Sequence, residues 1–205
     1  MKTPSQKLIW LLVLWGVAAG FAGRFNLLGH LPSRAVPVLL ASLSIGFSIA
    51  VVRIAWLREA VRELNVRVIL AAHLIRFAGF YFLWLYAQGK LPAEFAHRAG
   101  GGDIAAAAGA LVLLFWPEGR GFRRVFLGWN ILGALDLFVA LGTGGWLNIV
   151  RPGSMSELGT LPMALVPLWL VPVLLSSHLY FLRMHLLEDR GQRGHALPVR
   201  KTRAI

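Results

Sequence analysis

Residues 66–88 read VRVILAAHLIRFAGFYFLWLYAQ, a long and almost continuously apolar stretch. Two charged residues interrupt it, Arg67 near its start and Arg76 near its middle. A helix rises about 1.5 Å per residue, so about 20 residues cross a hydrocarbon core of about 30 Å. The length and apolar content of this stretch therefore predict a transmembrane helix.

The rest of the chain repeats this pattern. Hydrophobic residues make up 57% of the sequence and charged residues 15%, against about 25% charged in soluble domains. The apolar stretches are 8–23, 35–57, 66–88, 103–116, 125–143 and 161–183. Lipid offers no hydrogen-bond partners, so segments that cross it form either helices or the strands of a closed barrel. These stretches are too long and too continuously apolar for barrel strands of about 10 residues. We therefore predict an all-α integral membrane bundle of six transmembrane helices over residues 1–188, followed by a basic tail over residues 189–205.

The basic residues indicate the orientation of the bundle. The formal net charge is +12, and the side shared by the two termini carries the large majority of the Lys and Arg residues. Because positively charged loops stay inside, both termini and the tail are predicted to be cytoplasmic, in the cell (inner) membrane. Anionic headgroups of the lipid bilayer account for this charge, so we expect no nucleic acid partner. A homo-oligomer or a partner in a membrane complex stays open.

The first span has a second interpretation. Lys2 and Lys7, the apolar run that follows them and Gly20-Phe21-Ala22 are also typical of a signal peptide with small residues before its cleavage site. Cleavage there would leave five spans and would change no other assignment.

Cysteine and the common catalytic motifs are absent from the sequence. Without cysteine the chain has no disulfides, thiolate metal sites, Fe–S clusters or covalently attached haem. It contains no Walker A loop, no dinucleotide-binding fingerprint, no H-E-x-x-H and no G-x-S-x-G. We therefore predict no catalytic residues and no metal site, and the sequence favours a protein that is not an enzyme.

Polar residues at membrane depth form a candidate buried polar centre. A charge at the bilayer centre costs about 2.5–3.5 kcal/mol on insertion scales, so ionisable residues at this depth indicate a structural or functional role. Counted from the span ends, Arg76 and Asp136 each lie about 15 Å deep, near the midplane. Their opposite charges predict an ion pair that joins the third and fifth spans. Asn130, His73 and His178 share a level in the half nearer the termini.

Three interpretations of this centre stay open. In the first, the ion pair and the histidines are structural, so Asp136→Asn would leave Arg76 buried and unpaired and would unfold the protein. In the second, His73 and His178 bind a cofactor as the axial ligands of haem b. In the third, Asp136, assisted by Arg76, carries a proton or a solute through the membrane.

Three functions correspond to these interpretations. The leading hypothesis is a small carrier or proton-linked membrane component with a buried Arg/Asp centre. The alternatives are a haem b-binding electron-transfer membrane protein and a non-catalytic scaffold or accessory subunit of a membrane complex. Haem b is the one cofactor that the sequence suggests.

A second polar group belongs to the predicted outer-face loop between the third and fourth spans, and it consists of Glu94, His97 and Asp103. We interpret Asp103 as the N-cap of the fourth span, after glycines that supply the turn. Alternatively, these residues and His30 bind a metal or a substrate at the outer face. Their spacing matches no metal-ligand pattern, so no metal is predicted.

Several short motifs lie between His73 and Asp136. They are Arg76-x-x-Gly79, Gly89-x-Leu91-Pro92-x-x-Phe95-Ala96, Ala99-Gly100, Gly102-Asp103-Ile104, Trp129-Asn130 and Gly133-x-x-Asp136. Together they resemble a family of uncharacterised bacterial multi-pass membrane proteins. The resemblance implies a membrane location and a bacterial source, and it implies no activity and no catalytic residue.

Overall fold

The computed structural model describes residues 3–117 and 119–194, and six helices within these residues are long and apolar enough to cross a membrane. They are Pro4–Arg24, Ala35–Arg53, Val66–Ala87, Ala93–Phe115, Arg120–Val150 and Val166–Leu187. The last of them continues as a helix to Gly194, and residues 195–205 of the predicted tail lie outside the described residues. The predicted all-α bundle of six spans is confirmed. The fourth span begins at Ala93, earlier than the apolar stretch that starts at residue 103.

Both ends of the described chain lie at one end of the bundle, which we call the terminal side. The backbone N–H of Ser5 donates to Oε2 of Glu63 at 3.2 Å, so the first span starts beside the connection between the second and third spans. An even number of spans returns the chain to this side. The other end, which we call the opposite side, carries the connections 25–34, 88–92 and 151–165.

The outer surface of the bundle is apolar, and a small set of polar residues is buried in an otherwise hydrophobic interior. Leu14, Val17 and Leu132 expose 64%, 67% and 69% of their surface, as side chains do where the surrounding solvent is lipid tails. The buried polar residues are Ser44, Ser48, His73, Arg76, Asp103, Asn130, Thr143, Ser176 and His178. The polar groups that need partners are therefore gathered between the spans.

The third and fourth spans cross closely at Gly79 and Gly100. A Cβ added at Gly79 would lie 2.4 Å from the carbonyl oxygen of Gly100, and one added at Gly100 would lie 2.8 Å from that of Gly79. Small residues permit this approach of two helix backbones. Arg76 lies about one turn before Gly79 and Asp103 about one turn after Gly100, so the crossing brings these two side chains to the same place.

Arg67 connects three spans at the terminal side. Its guanidinium donates to the carbonyl oxygens of Leu113 at 2.9 Å, of Leu114, and of Trp116 at 2.8 Å. These carbonyls belong to the C-terminal turn of the fourth span, where helix carbonyls need partners from outside the helix, and the Leu113 carbonyl also accepts from the backbone N–H of Trp116 at 3.2 Å. The same guanidinium lies 5.5 Å from the centre of the Phe122 ring of the fifth span. Arg67 therefore fixes the register of the third span against the fourth and fifth.

Candidate functional site

Arg76 lies in the middle of the third span, where the helix winding changes. The α-helix Val66–His73 passes into a 3₁₀ segment, Leu74–Ala78, and continues as the α-helix Gly79–Ala87. A 3₁₀ segment inside a long helix changes the direction in which its side chains leave the backbone. Arg76 exposes 2% of its surface, so its charge lies in the interior and requires partners there.

Two carboxylates from two other spans bind the guanidinium of Arg76. Its Nε donates to Oδ1 of Asp103 at 2.6 Å, and its Nη2 donates to Oδ2 of Asp136. Its Nη1 lies 3.3 Å from Nε2 of His178 and 3.5 Å from the carbonyl oxygen of Gly133. All three guanidinium nitrogens therefore have partners. The pairing of Arg76 with Asp136 expected from the sequence is present, and Asp103 is added to it.

Arg76, Asp103 and Asp136 form what we call the charge cluster, and its charges are unequal. One guanidinium faces two carboxylates, so the cluster carries an excess of one negative charge when both carboxylates are ionised. Arginine stays protonated in proteins, so the carboxylates are the members that can change charge. A net charge in a low-dielectric interior is costly. The cluster therefore offers a place for one proton or one other cation.

The hydrogen bonds define the protonation of His178. Arginine has no acceptor, so Nε2 of His178 accepts from Arg76 and carries no hydrogen. Nδ1 of His178 lies 3.0 Å from Oδ1 of Asn130, and it therefore carries the hydrogen and donates it. The amide nitrogen of Asn130 in turn donates to the carbonyl oxygen of Phe126 at 2.8 Å. His178 is thus neutral in this arrangement, and hydrogen bonds continue from the charge cluster toward the terminal side.

His73 packs directly against His178. The centres of the two rings are 4.4 Å apart. The centre of the Trp129 ring lies 4.8 Å from that of His73 and 4.7 Å from that of His178. Nε2 of His73 is 2.9 Å from Oγ of Ser177. The two axial ligands of a haem lie on opposite faces of the porphyrin. These two rings contact each other, so haem b between them would require the third and sixth spans to separate.

Asp103 occupies a place that the sequence interpretation did not give it. The fourth span begins at Ala93 and contains a π-helical segment, Ala96–Gly100, so Asp103 lies inside the helix and does not cap it. At about 1.5 Å per residue, Asp103 lies about 15 Å into the span, level with Arg76. The grouping of Asp103 with Glu94 and His97 is therefore corrected. Depth counting from the true start of the span would have found this second midplane carboxylate.

The other residues of the predicted outer-face loop do not converge. Glu94 pairs with Arg151 at 2.5 Å, and the two side chains expose 44% and 46% of their surface. The His97 ring packs against the Tyr86 ring at 4.7 Å. His30 bonds a backbone carbonyl of its own connection at 2.9 Å. Among the described residues, no three His, Cys, Asp or Glu side chains are placed to hold a metal ion.

Two glycines make room for the charge cluster. A Cβ added at Gly102 would lie 1.5 Å from Oδ1 of Asp136, and one added at Gly133 would lie 2.4 Å from Nε2 of His178. Neither distance is compatible with a side chain unless the polar group moves. Gly102 therefore leaves room for the Asp136 carboxylate, and Gly133 leaves room for the His178 ring.

A cavity of about 870 Å³ extends from the connections on the opposite side to the charge cluster. It is lined by residues of the second to sixth spans, and its wall is mostly apolar. The wall contains four aromatic rings, Phe82, Phe95, Phe138 and Trp146. Asp103 lines the cavity and is the one ionisable side chain among its described lining residues. An adjoining space of about 20 Å³, lined by Asp103 and Arg76, has room for a single water molecule.

The spans and the centre define the class of this chain: it is a multi-pass α-helical membrane protein with charged side chains buried between its helices. The model of one protein family, described as a domain of unknown function (DUF8737), matches residues 33–186. This match covers most of the chain, and the chain belongs to that family. No curated protein and no solved structure matches it.

Proposed function

We propose that this protein is a small proton-linked membrane carrier. The observation that supports the proposal is the unequal charge of the charge cluster at membrane depth. A structural ion pair needs one carboxylate for one guanidinium, and here Arg76 has two. The second carboxylate gives the cluster a site for an exchangeable proton. Intramembrane carboxylates that pair with a basic group are the usual elements of proton relays.

A cavity on one side of the charge cluster and hydrogen bonds on the other support the same proposal. On the opposite side, the cavity reaches the Asp103 carboxylate. On the terminal side, His178 and Asn130 continue the hydrogen bonds of the cluster. Ser177 donates its one hydroxyl hydrogen to a backbone carbonyl, so Nε2 of His73 donates to Ser177 and its buried Nδ1 is left as an acceptor. That nitrogen has no hydrogen-bond partner among the described residues.

We also propose the orientation and location of the carrier. The excess of basic residues at the terminal side supports an arrangement with both termini in the cytoplasm. The resemblance to bacterial proteins supports the inner membrane of a bacterium. In this orientation the cavity opens away from the cytoplasm.

Counting protons on the purified protein tests the proposal. The pH of a weakly buffered sample in mild detergent is changed from mildly alkaline to mildly acidic, and an indicator dye reports the protons taken up. Exposed carboxylates stay ionised over this range because their ordinary pKa values are about 4. We expect Asp136→Asn to take up about one proton per chain less than the wild type, because one carboxylate then balances Arg76.

Glu94→Gln is the matched control for this count. It also removes one carboxylate, but from a side chain that is 44% exposed and lies outside the charge cluster. We expect it to take up as many protons as the wild type. Equal uptake by the wild type and a folded Asp136→Asn would contradict the proposal, because the cluster would then hold no exchangeable proton.

A further inference from the structure

The size of the cavity exceeds what a proton path requires. Sites for small organic molecules have volumes of about 300–1,000 Å³, mostly apolar walls and a few placed polar groups. The cavity of about 870 Å³ has all three properties. A proton needs only a row of hydrogen-bonded groups, so this volume points to a molecule of larger size.

The charged group in the wall indicates the sign of that molecule. Asp103 is the one ionisable side chain among the described lining residues, so the wall presents a carboxylate and no basic group. An anionic molecule would meet an uncompensated negative charge in a low-dielectric space. A cationic group would neutralise the excess charge of the charge cluster as a proton does.

The remaining polar and aromatic groups of the wall favour a cation as well. The rings of Phe82 and Phe95 pack edge to face at 5.5 Å, with Phe138 in the same wall, whereas the Trp146 ring already has the guanidinium of Arg151 6.0 Å from its centre. The faces of aromatic rings attract ammonium and other organic cations. Oδ1 of Asn26, which also lines the cavity, is buried and accepts no hydrogen bond within the described residues. Because Asn26 lies in the connection at the opposite side and Asp103 near the midplane, an N–H group elsewhere on a bound molecule would satisfy this acceptor.

We propose that the cavity is the substrate site of this protein and that it binds organic cations with an apolar body. The apolar body contacts the wall formed by the second to sixth spans, and the cationic group lies toward Asp103. This inference rests on the proposed function in one respect: the cation and the proton occupy the charge cluster alternately. Each of them brings the net charge of the charge cluster from minus one to zero, so the cluster is neutral with either the proton or the cation bound.

Two ions of matched shape and opposite charge provide the test. Tetraphenylphosphonium and tetraphenylborate have the same four rings around a central atom, so they differ mainly in sign. Binding of each is measured by equilibrium dialysis on the full chain in nanodiscs, and binding to empty nanodiscs is subtracted. We expect saturable binding of tetraphenylphosphonium and none of tetraphenylborate. Saturable binding of tetraphenylborate with equal or higher affinity would overturn the inference.

Two substitutions locate the bound cation. Asp103→Asn removes the carboxylate from the wall and is expected to weaken tetraphenylphosphonium binding about tenfold or more. Gly142→Leu adds a side chain at a cavity-lining position where a Cβ meets nothing within 4 Å, and it is expected to abolish binding by filling the space. Gly128→Leu is the matched control, because Gly128 lies on the same span, is equally open and does not line the cavity.

The results separate this inference from the proposed function. If Asp103→Asn fails to fold, the comparison of the two ions and the Gly142→Leu variant still decide the matter. Tetraphenylphosphonium binding that survives both folded variants would place the cation elsewhere and overturn the inference. An absence of binding in a protein that still takes up the extra proton would reject the substrate class and leave the proton-linked function standing.

Discussion

Arg76→Met is expected to lower the stability of the protein by about 3–5 kcal/mol, because it leaves two buried carboxylates without their cation. Arg76 is 2% exposed, and Asp103 and Asp136 both depend on it. The change would appear as a large drop in the midpoint of thermal unfolding in mild detergent, followed by tryptophan fluorescence. It should also reduce the yield of folded protein from membranes.

The triple variant Arg76→Met, Asp103→Asn, Asp136→Asn distinguishes a charge effect from a packing effect. Replacing a whole buried ionic group by uncharged residues is often neutral, whereas removing one partner is not. We therefore expect the triple variant to recover most of the loss. A triple variant as unstable as Arg76→Met, or an Arg76→Met as stable as the wild type, would contradict the assignment of the charge cluster.

For Asp136→Asn, the structure predicts a different outcome from the one expected from the sequence. With Asp136 as the one partner, its loss leaves Arg76 unpaired and unfolds the protein. With Asp103 still at 2.6 Å, the guanidinium keeps a carboxylate and the cluster becomes neutral. Asp136→Asn should therefore fold and lose the exchangeable proton.

Gly79→Ala is expected to destabilise the protein by about 1–3 kcal/mol, the usual cost of overpacking. Its Cβ would lie 2.4 Å from the carbonyl oxygen of Gly100, which is backbone and cannot rotate away. The third and fourth spans would have to separate, and Arg76 would move away from Asp103. The same thermal unfolding measurement checks this expectation.

Gly101→Ala provides the control on the neighbouring helix. A Cβ at Gly101 meets nothing within 4 Å. Replacing a glycine by alanine inside a helix then stabilises by about 0.5–1 kcal/mol. Opposite signs for Gly79→Ala and Gly101→Ala are the predicted result, and a loss of stability of similar size in both would argue against a specific crossing at Gly79.

The spans could be predicted from sequence because lipid imposes one rule on every backbone group. Long apolar stretches therefore coincide with helices through most of the chain. The start of the fourth span was missed because Glu94, His97 and the glycines at 100–102 have the composition of a loop. They are nevertheless helical from Ala93, and Ala96 and Ala99 within this segment are fully packed at 0% and 1% exposure.

The candidate site could be predicted in part. Depth counting brought Arg76 and Asp136 together, and the structure pairs them. It also placed His73, Asn130 and His178 at one level. In the structure His178 is hydrogen-bonded to Asn130, and the rings of His73 and His178 are in contact. Asp103 was assigned to the loop because its depth depends on the missed start of the fourth span. The cavity had no signal in the sequence, because it results from how the second to sixth spans pack against each other.

Infrared spectroscopy of the carboxyl groups shows whether the two carboxylates around Arg76 share one proton. A protonated carboxyl group gives a carbonyl stretch apart from the amide bands, and this band disappears when the group ionises. We predict a band in the wild type that is lost on moving to alkaline pH. The band should be absent from both Asp103→Asn and Asp136→Asn, since the remaining carboxylate stays ionised against Arg76. A wild type without the band at any pH, or a band that persists in both folded single variants, would contradict the account.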